Sequence, residues 1–543
     1  MNSMTIQRFI LTGALLCVGA PLGSAPLGAQ SVGQQKTDSL VLAADEAARA
    51  SNHREAIRMY ELALRADPTM REQLLAKLGR QYLRSGESAT AAQLLGEWVT
   101  LHPGDCELRR DAALALTWQG ALPRAVRAWQ AFGTRCPASK DDAALGLAQV
   151  QRWSNYPRAA LRTYTVQRAN TDTALRLRAA LGQGFTLLDL GQPRAAEAVF
   201  DSLAAAKQTG IDVVEGRARV AWDLGQRIKA IHLLEQAKSA NAWNRSLGDL
   251  DRALRAEDNV SATPVARGFR DRDGTSYRAY EVTTGVGTGG SSTLSATARR
   301  AELRGGAAVL ASDEGSLSWR ARPHRAFALS AEAGVRRWSV IDRTDPFGEA
   351  TLTVLPGDMQ RIDLTYARLV VTDNVAAINS GLAGNYVSAG YSHPLGTHTS
   401  LALSADATRW TAGNTRTRVR STLSRRFEGT PSVTLEWPTA VQLYDTPFVF
   451  GFFSPRTYVE TGPALSGSRR LARAWTVFAY GRAGALRETG GTWQPLGMVR
   501  GGIERDLASH LGLRADGSWT NSNLAGASGF ERTALSLQLT ARW

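Results

Sequence analysis

LSLQLTARW, residues Leu535–Trp543, is the stretch that decides the fold. Leu535, Leu537, Leu539, Ala541 and Trp543 alternate with Ser536, Gln538, Thr540 and Arg542. A period of two, apolar on one face and polar on the other, is the signature of a strand. Working back, the same alternation recurs every 10–20 residues to about Tyr277. Tyr280/Val282/Thr284/Val286, Phe327/Leu329/Ala331/Ala333, Val387/Ala389/Tyr391 and Trp475/Val477/Ala479 are examples. Turn-forming residues separate the segments, among them Asp313-Glu314-Gly315, Pro356-Gly357-Asp358 and Thr489-Gly490-Gly491.

A soluble all-β domain would alternate in the same way. Two features favour a membrane barrel, in which the apolar face meets lipid and the polar face meets a wet lumen. The last residue of the closing strand is the aromatic Trp543, read as the barrel's C-terminal signal. The alternate face is also studded with arginine, which suits water better than a packed core. The region 276–543 is therefore expected to be an antiparallel transmembrane β-barrel of about 14 to 16 strands, 16 being the favoured even number.

The first half has another period. A small residue recurs at Ala56, Ala91, Ala125, Ala160, Ala196 and Ala230, in steps of 35, 34, 35, 36 and 34. Four positions later stand Tyr60, Leu95, Trp129, Tyr164, Phe200 and Leu234. Five positions before the alanines from Ala91 onward stand Gly86, Gly120, Asn155, Gly191 and Gly225. The alanine lets two helices approach, the large side chain fills the gap, and the glycine permits the turn. Pro68, Pro103 and Pro137 stop the second helices of the first three units. This pattern resembles the tetratricopeptide repeat. It predicts an α-solenoid of about six repeats over 38–245, followed by a linker at 246–275. Such a stack has a concave groove for a partner, or acts as a spacer.

Arg8 and the apolar run Phe9–Val18, followed by small residues, read as a signal peptide over 1–29, cleaved after Ala25 or Ala29. The expected location is the outer membrane, with the repeats in the periplasm. After that segment only Cys106 and Cys136 remain. They fall at the two ends of the third helix pair, which predicts a disulfide; two free buried thiols are the alternative. The net charge is +15, yet from residue 263 onward there are 32 Arg and no Lys against 23 Asp and Glu, all dispersed. Dispersed arginine in an exported chain argues against nucleic acid as a partner.

No catalytic or metal-binding spacing is present, so neither an enzyme nor a cofactor is implied. Gly285-Val286-Gly287-Thr288-Gly289-Gly290 matches a dinucleotide pattern, but no helix follows it and it reads as a hairpin turn. His393 and His398 flank a turn and read as a solvated loop.

Residues 444–463 read YDTPFVFGFFSPRTYVETGP. Gly451, Phe452, Phe453, Ser454, Pro455, Arg456 and Tyr458 resemble the Gly-aromatic-aromatic-Ser-Pro-Gln/Arg-x-Tyr signature of the cellulose synthase C family of exopolysaccharide-export outer-membrane proteins. The shorter YaiO-type barrel proteins share the repeat-plus-barrel layout. The resemblance implies a periplasmic solenoid joined to an outer-membrane pore for a cellulose-like exopolysaccharide. Its implied partners are outer-membrane lipid, the exopolysaccharide chain, and periplasmic or inner-membrane synthase components bound by the repeats. A non-transporting outer-membrane scaffold is the second implication. Read from the residues alone, the motif is a barrel turn in which Pro455 ends a strand and Phe452 and Phe453 join the interfacial aromatic belt. Trp410, Trp437, Tyr444 and Tyr458 are further aromatics assignable to belt or lumen.

Overall fold

The computed structural model describes residues 27–240, 244–447, 453–472, 475–508, 510–522 and 531–543. Ala25 therefore lies outside the described residues. Ala29 sits in helix α1, Leu27–Arg49. The chain divides into two compact units, 1–136 and 137–543.

The first unit holds three helix pairs, made by α1 with α2 (His53–Ala66), α3 (Arg71–Ser85) with α4 (Ser88–Leu101), and α5 (Cys106–Trp118) with α6 (Leu122–Arg135). Ala56, Ala91 and Ala125 are completely buried, with Tyr60, Leu95 and Trp129 packed beside them. Gly86 and Gly120 take left-handed φ of 88° and 79° at the inter-helix turns, and Ser51 does the same at 59° in the first pair. Cys106 and Cys136 are disulfide-bonded, their Cα atoms 5.9 Å apart.

The second unit opens with α7 (Lys140–Trp153), α8 (Pro157–Gln167), α9 (Thr173–Asp189), α10 (Pro193–Ala205), α11 (Ile211–Asp223) and α12 (Arg227–Ser239). Ala160, Ala196 and Ala230 are again fully buried against Tyr164, Phe200 and Leu234. The first helices of these pairs make room for the large rings with glycine. A Cβ on Gly216 would fall 2.1 Å from the Phe200 ring, and one on Gly182 would fall 2.3 Å from Tyr164.

The region read as a linker, 246–275, is ordered structure. Helix α13, Arg245–Ala256, buries Leu247, Leu250 and Leu254 against α11 and α12. Those leucines follow i, i+3, i+7 spacing, a helical signal that the change of composition at Asn259 obscured. Strand β1, Ser261–Asp271, follows at once. Pro264 sits within it, at a gap in the β17 register between Ala262↔Ala541 and Val265↔Gln538. A missing N–H is tolerated there.

Seventeen strand segments form one antiparallel sheet closed by pairing of β1 with both β2 (Ser276–Gly287) and β17 (Arg532–Arg542). β12 (Thr457–Thr461) and β13 (Ala464–Ala472) both lie between β11 (Ser432–Tyr444) and β14 (Trp475–Glu488). They are one stave broken at Gly462-Pro463, so the barrel has 16 staves, as expected. Only glycine fits the break, since a Cβ on Gly462 would stand 2.3 Å from Gly484 Cα. The outer face is apolar. Leu535 and Leu537 are 69% and 50% exposed, and Leu317, Val335, Val387, Val419 and Val499 point the same way. No described helix is long and apolar enough to cross a membrane. Asp313-Glu314-Gly315 is not a turn. It lies in mid-strand, within β4 (Ala308–His324), because Glu314 is held inside by ion pairs.

Two outcomes test this packing. Gly216→Ala should destabilise the helical repeats by about 1–3 kcal/mol through overpacking against Phe200, read by urea unfolding at 222 nm; Phe200→Leu in the same chain should recover part of the loss. Replacing both cysteines with serine should cost about 3–4 kcal/mol for a cross-link spanning 30 residues. Thermal melts with and without reductant check this: the serine variant should melt as the reduced wild type does.

Candidate functional site

The barrel has a near mouth, where β1 begins and β17 ends, and a far mouth. At the near mouth, repeats of the second unit meet the strand turns. Helices α8, α10 and α12 each bring their N-terminus to one turn. Glu428 accepts the Arg158 backbone N–H at 3.2 Å and pairs with its guanidinium. Asp358 accepts the N–H groups of Arg194 and Ala195 at 3.0 and 2.9 Å. Arg227 reaches the Gly290 carbonyl at 3.4 Å. Carboxylates on barrel turns thus satisfy the orphan donors and positive end of the helices. Pro at the first turn of α8 and α10 completes this arrangement.

The docked repeats leave a cavity of about 600 Å³ at the near mouth, lined by Arg152, Trp153 and Arg158 from the helices and by Ser400, Ser424 and Arg426 from the barrel wall. A second cavity of about 360 Å³ runs along the repeat groove past Tyr164, Phe185, Asp212 and Arg219, and it shares Arg152 and Trp153 with the first. Arg152 is fixed by Asp189 at 2.7 Å and lies over the Phe185 ring. Burial pushes the Tyr164 phenol up to about 12. Burial, with the charge of Glu215, also holds the Asp212 carboxyl above its ordinary range.

Inward side chains form ion-pair ladders. Asp406, fully enclosed on β9 (Thr399–Trp410), faces Arg416, Arg418 and Arg420 of β10 (Thr415–Phe427) at 3.3, 3.0 and 3.5 Å. Glu314 bridges Arg299 and Arg336. Glu460 accepts from Arg482 at 2.6 Å, Tyr458 at 2.9 Å and Ser522 at 2.6 Å. Charge also balances near the mouth. Arg320 and Arg426 have Glu332 and Glu436 at the next inward position on the neighbouring strands.

A loop packs into the far mouth. Helix α14, Val375–Asn379, in the loop 371–382, buries Ala377 and Ile378 completely. Ala377 packs with Trp410 and Tyr444, and Ile378 with Leu303, Leu310 and Trp338 on the other side. Asp373 of this loop pairs at 3.3 Å with Arg532, which also grips Asp271. The Arg343 guanidinium donates to the Ile378 carbonyl.

The structure redistributes the sequence candidates. Gly451 and Phe452 lie outside the described residues. Phe453 stacks edge-on against Tyr458, which is wholly buried among Leu486 and Leu496, and Ser454 is buried as well. The belt reading therefore fails for Phe453. Pro455 and Arg456 stand in the loop leading into β12 rather than at the end of a strand. Trp410, Tyr444 and Tyr458 face inward, whereas Trp437 points outward and is half exposed. Trp543 is exposed on the outer side and donates its backbone N–H to Val260 across the closure. The carboxylate–arginine ladders were not foreseen. The signal was present in Arg416, Arg418 and Arg420 at alternate positions, which places all three on one face of a strand.

No protein-family model matches the sequence, and no curated protein matches it. Among solved structures, a bacterial polysaccharide outer-membrane secretin aligns at 16% identity over 53% of this chain and 99% of its own, with a TM-score of 0.44. A tetratricopeptide repeat protein from Parabacteroides merdae aligns at 17% identity over 41% of this chain and 86% of its own, TM-score 0.33. OccK7 of Pseudomonas aeruginosa aligns at 10% identity over 52% and 98%, TM-score 0.31. The closed barrel, its apolar exterior and its charged interior define the class independently: an outer-membrane-type β-barrel carrying tetratricopeptide-like repeats, a pore or a scaffold.

Asp406→Ala should strand three inward arginines, a loss on the order of 3–5 kcal/mol for a buried pair broken on one side. The expected result is a lower temperature for the heat-induced shift of the folded barrel on SDS gels.

Proposed function

We propose that this chain is an outer-membrane pore that exports a cellulose-like exopolysaccharide, with its repeats in the periplasm as the scaffold that receives the polymer and docks synthase components. The observation that carries the reading is a pair of neighbouring cavities at the near mouth, one along the repeats and one against the barrel wall, that share Arg152 and Trp153. Passage of a polymer needs a wet wall and weak, repeated contacts, which the hydroxyls and paired charges of the lumen supply. The motif resemblance to the cellulose synthase C family points the same way. In this reading the near mouth faces the periplasm, and the segment at 1–29 directs export.

The packed loop 371–382 then holds the far mouth closed, and it must swing aside for transport. The same packing favours a second reading, a non-transporting scaffold whose barrel is only an anchor.

Single-channel recording of the full chain in planar bilayers separates the two. Wild type should conduct rarely, and Asp373→Ala combined with Ile378→Ser should give long, large openings that added glycan interrupts. An inserted, heat-modifiable variant that stays silent would overturn the export reading in favour of the scaffold.

A further inference from the structure

Trp153 is the last residue of α7 and is 42% exposed. Its position lies seven residues before the buried alanine of the repeat. The equivalent residues in the other repeats are Arg49, Arg84, Trp118, Asp189 and Asp223, and Trp118 is likewise exposed, at 47%. Four of these five are charged, so packing of the repeat does not call for an aromatic there. The place it occupies is specific: it lines both the groove cavity and the mouth cavity. Its neighbour Arg152 is immobilised by Asp189 and by the Phe185 ring.

We infer that Trp153 is a sugar-stacking platform, a binding subsite at which a neutral pyranose chain leaving the repeat groove turns into the barrel mouth. A pyranose ring offers an apolar face of C–H groups to an indole, and its hydroxyls take hydrogen bonds from charged side chains around the rim. Here three rim charges are directly opposed, Arg152 with Asp189, Arg158 with Glu428, and Arg219 with Glu215, and Arg426 of the barrel wall has Glu436 at the next inward position. Balanced charge of this kind orients hydroxyls and gives no net attraction to a polyanion. The inference rests on the export reading and names where that polymer is first held.

The test is calorimetric titration of the full chain in detergent with three neutral hexasaccharides (cellohexaose, laminarihexaose and chitohexaose) and with hexagalacturonate as the charged comparison. At least one neutral hexasaccharide should bind more tightly than hexagalacturonate. Trp153→Ala should weaken that binding about tenfold, the scale of one lost stacking contact. Trp153→Phe should keep most of it, and far-UV circular dichroism should be unchanged in both variants. Binding of none of the neutral sugars, equal binding by Trp153→Ala, or tighter binding of hexagalacturonate would each overturn the inference. Bilayer recording keeps the two readings apart. Trp153-dependent binding in a chain that never conducts sinks export and leaves the subsite. Glycan-interrupted conductance indifferent to Trp153→Ala does the reverse.

Discussion

Every strand of a lipid-facing sheet must find hydrogen-bond partners on both sides, because the bilayer core offers none. That constraint forces the first strand to meet the last. β1 and β17 pair from Ser261↔Arg542 to Asp271↔Arg532, and Trp543 extends the closure to Val260. Once the circle is shut, the alternation of each strand becomes inside and outside, so leucine and valine meet lipid while arginine, aspartate and glutamate share an interior. Closure also brings both chain ends of the barrel to one mouth, and thereby sets where the preceding helices can sit.

The repeats use that placement economically. Helices α8, α10 and α12 are the second helices of successive pairs, so their N-termini recur at the repeat spacing. The near-mouth turns 288–291, 355–360 and 428–431 present a carbonyl and two carboxylates to them. Negative charge at a helix N-terminus is favourable in its own right. Docking of this kind covers part of the rim and leaves the remaining gap lined by Arg152, Trp153 and Arg426.

The interior shows why charge counts mislead. Thirty-two arginines after residue 263 look like a polycation in the sequence. In the fold, Asp406, Glu314 and Glu460 each hold arginines from neighbouring strands, separated in sequence by 10 to 22 residues. At the far end Trp410, Tyr444, Leu303 and Trp338 grip α14, while Arg532 and Arg343 hold its loop by polar contacts. A polar shaft with a loop packed into its far end fits the physical needs of a closed pore and of an anchored scaffold alike.

Local periodicity was enough to read the elements. A period of two gave the strands, and a recurrence near 35 gave the buried alanines and their aromatic partners, because these patterns express the geometry of one strand or one helix pair. Even the stave number followed from length. Hidden from it were features that depend on which strands become neighbours: the ion-pair ladders, the inward burial of Phe453 and Tyr458, and the mid-strand place of Glu314; the helix at 245–256 had a local signal that the change of composition masked. The candidate site was the least legible part, since Trp153 and Ser424 are 271 residues apart. The sequence alone determined that this protein is a repeat solenoid joined to a barrel, because short-range alternation dictates each element. Only the tertiary structure decided which side chains share the lumen and the mouth, because closure of the sheet and docking of helix ends on its turns are long-range events with no local signature.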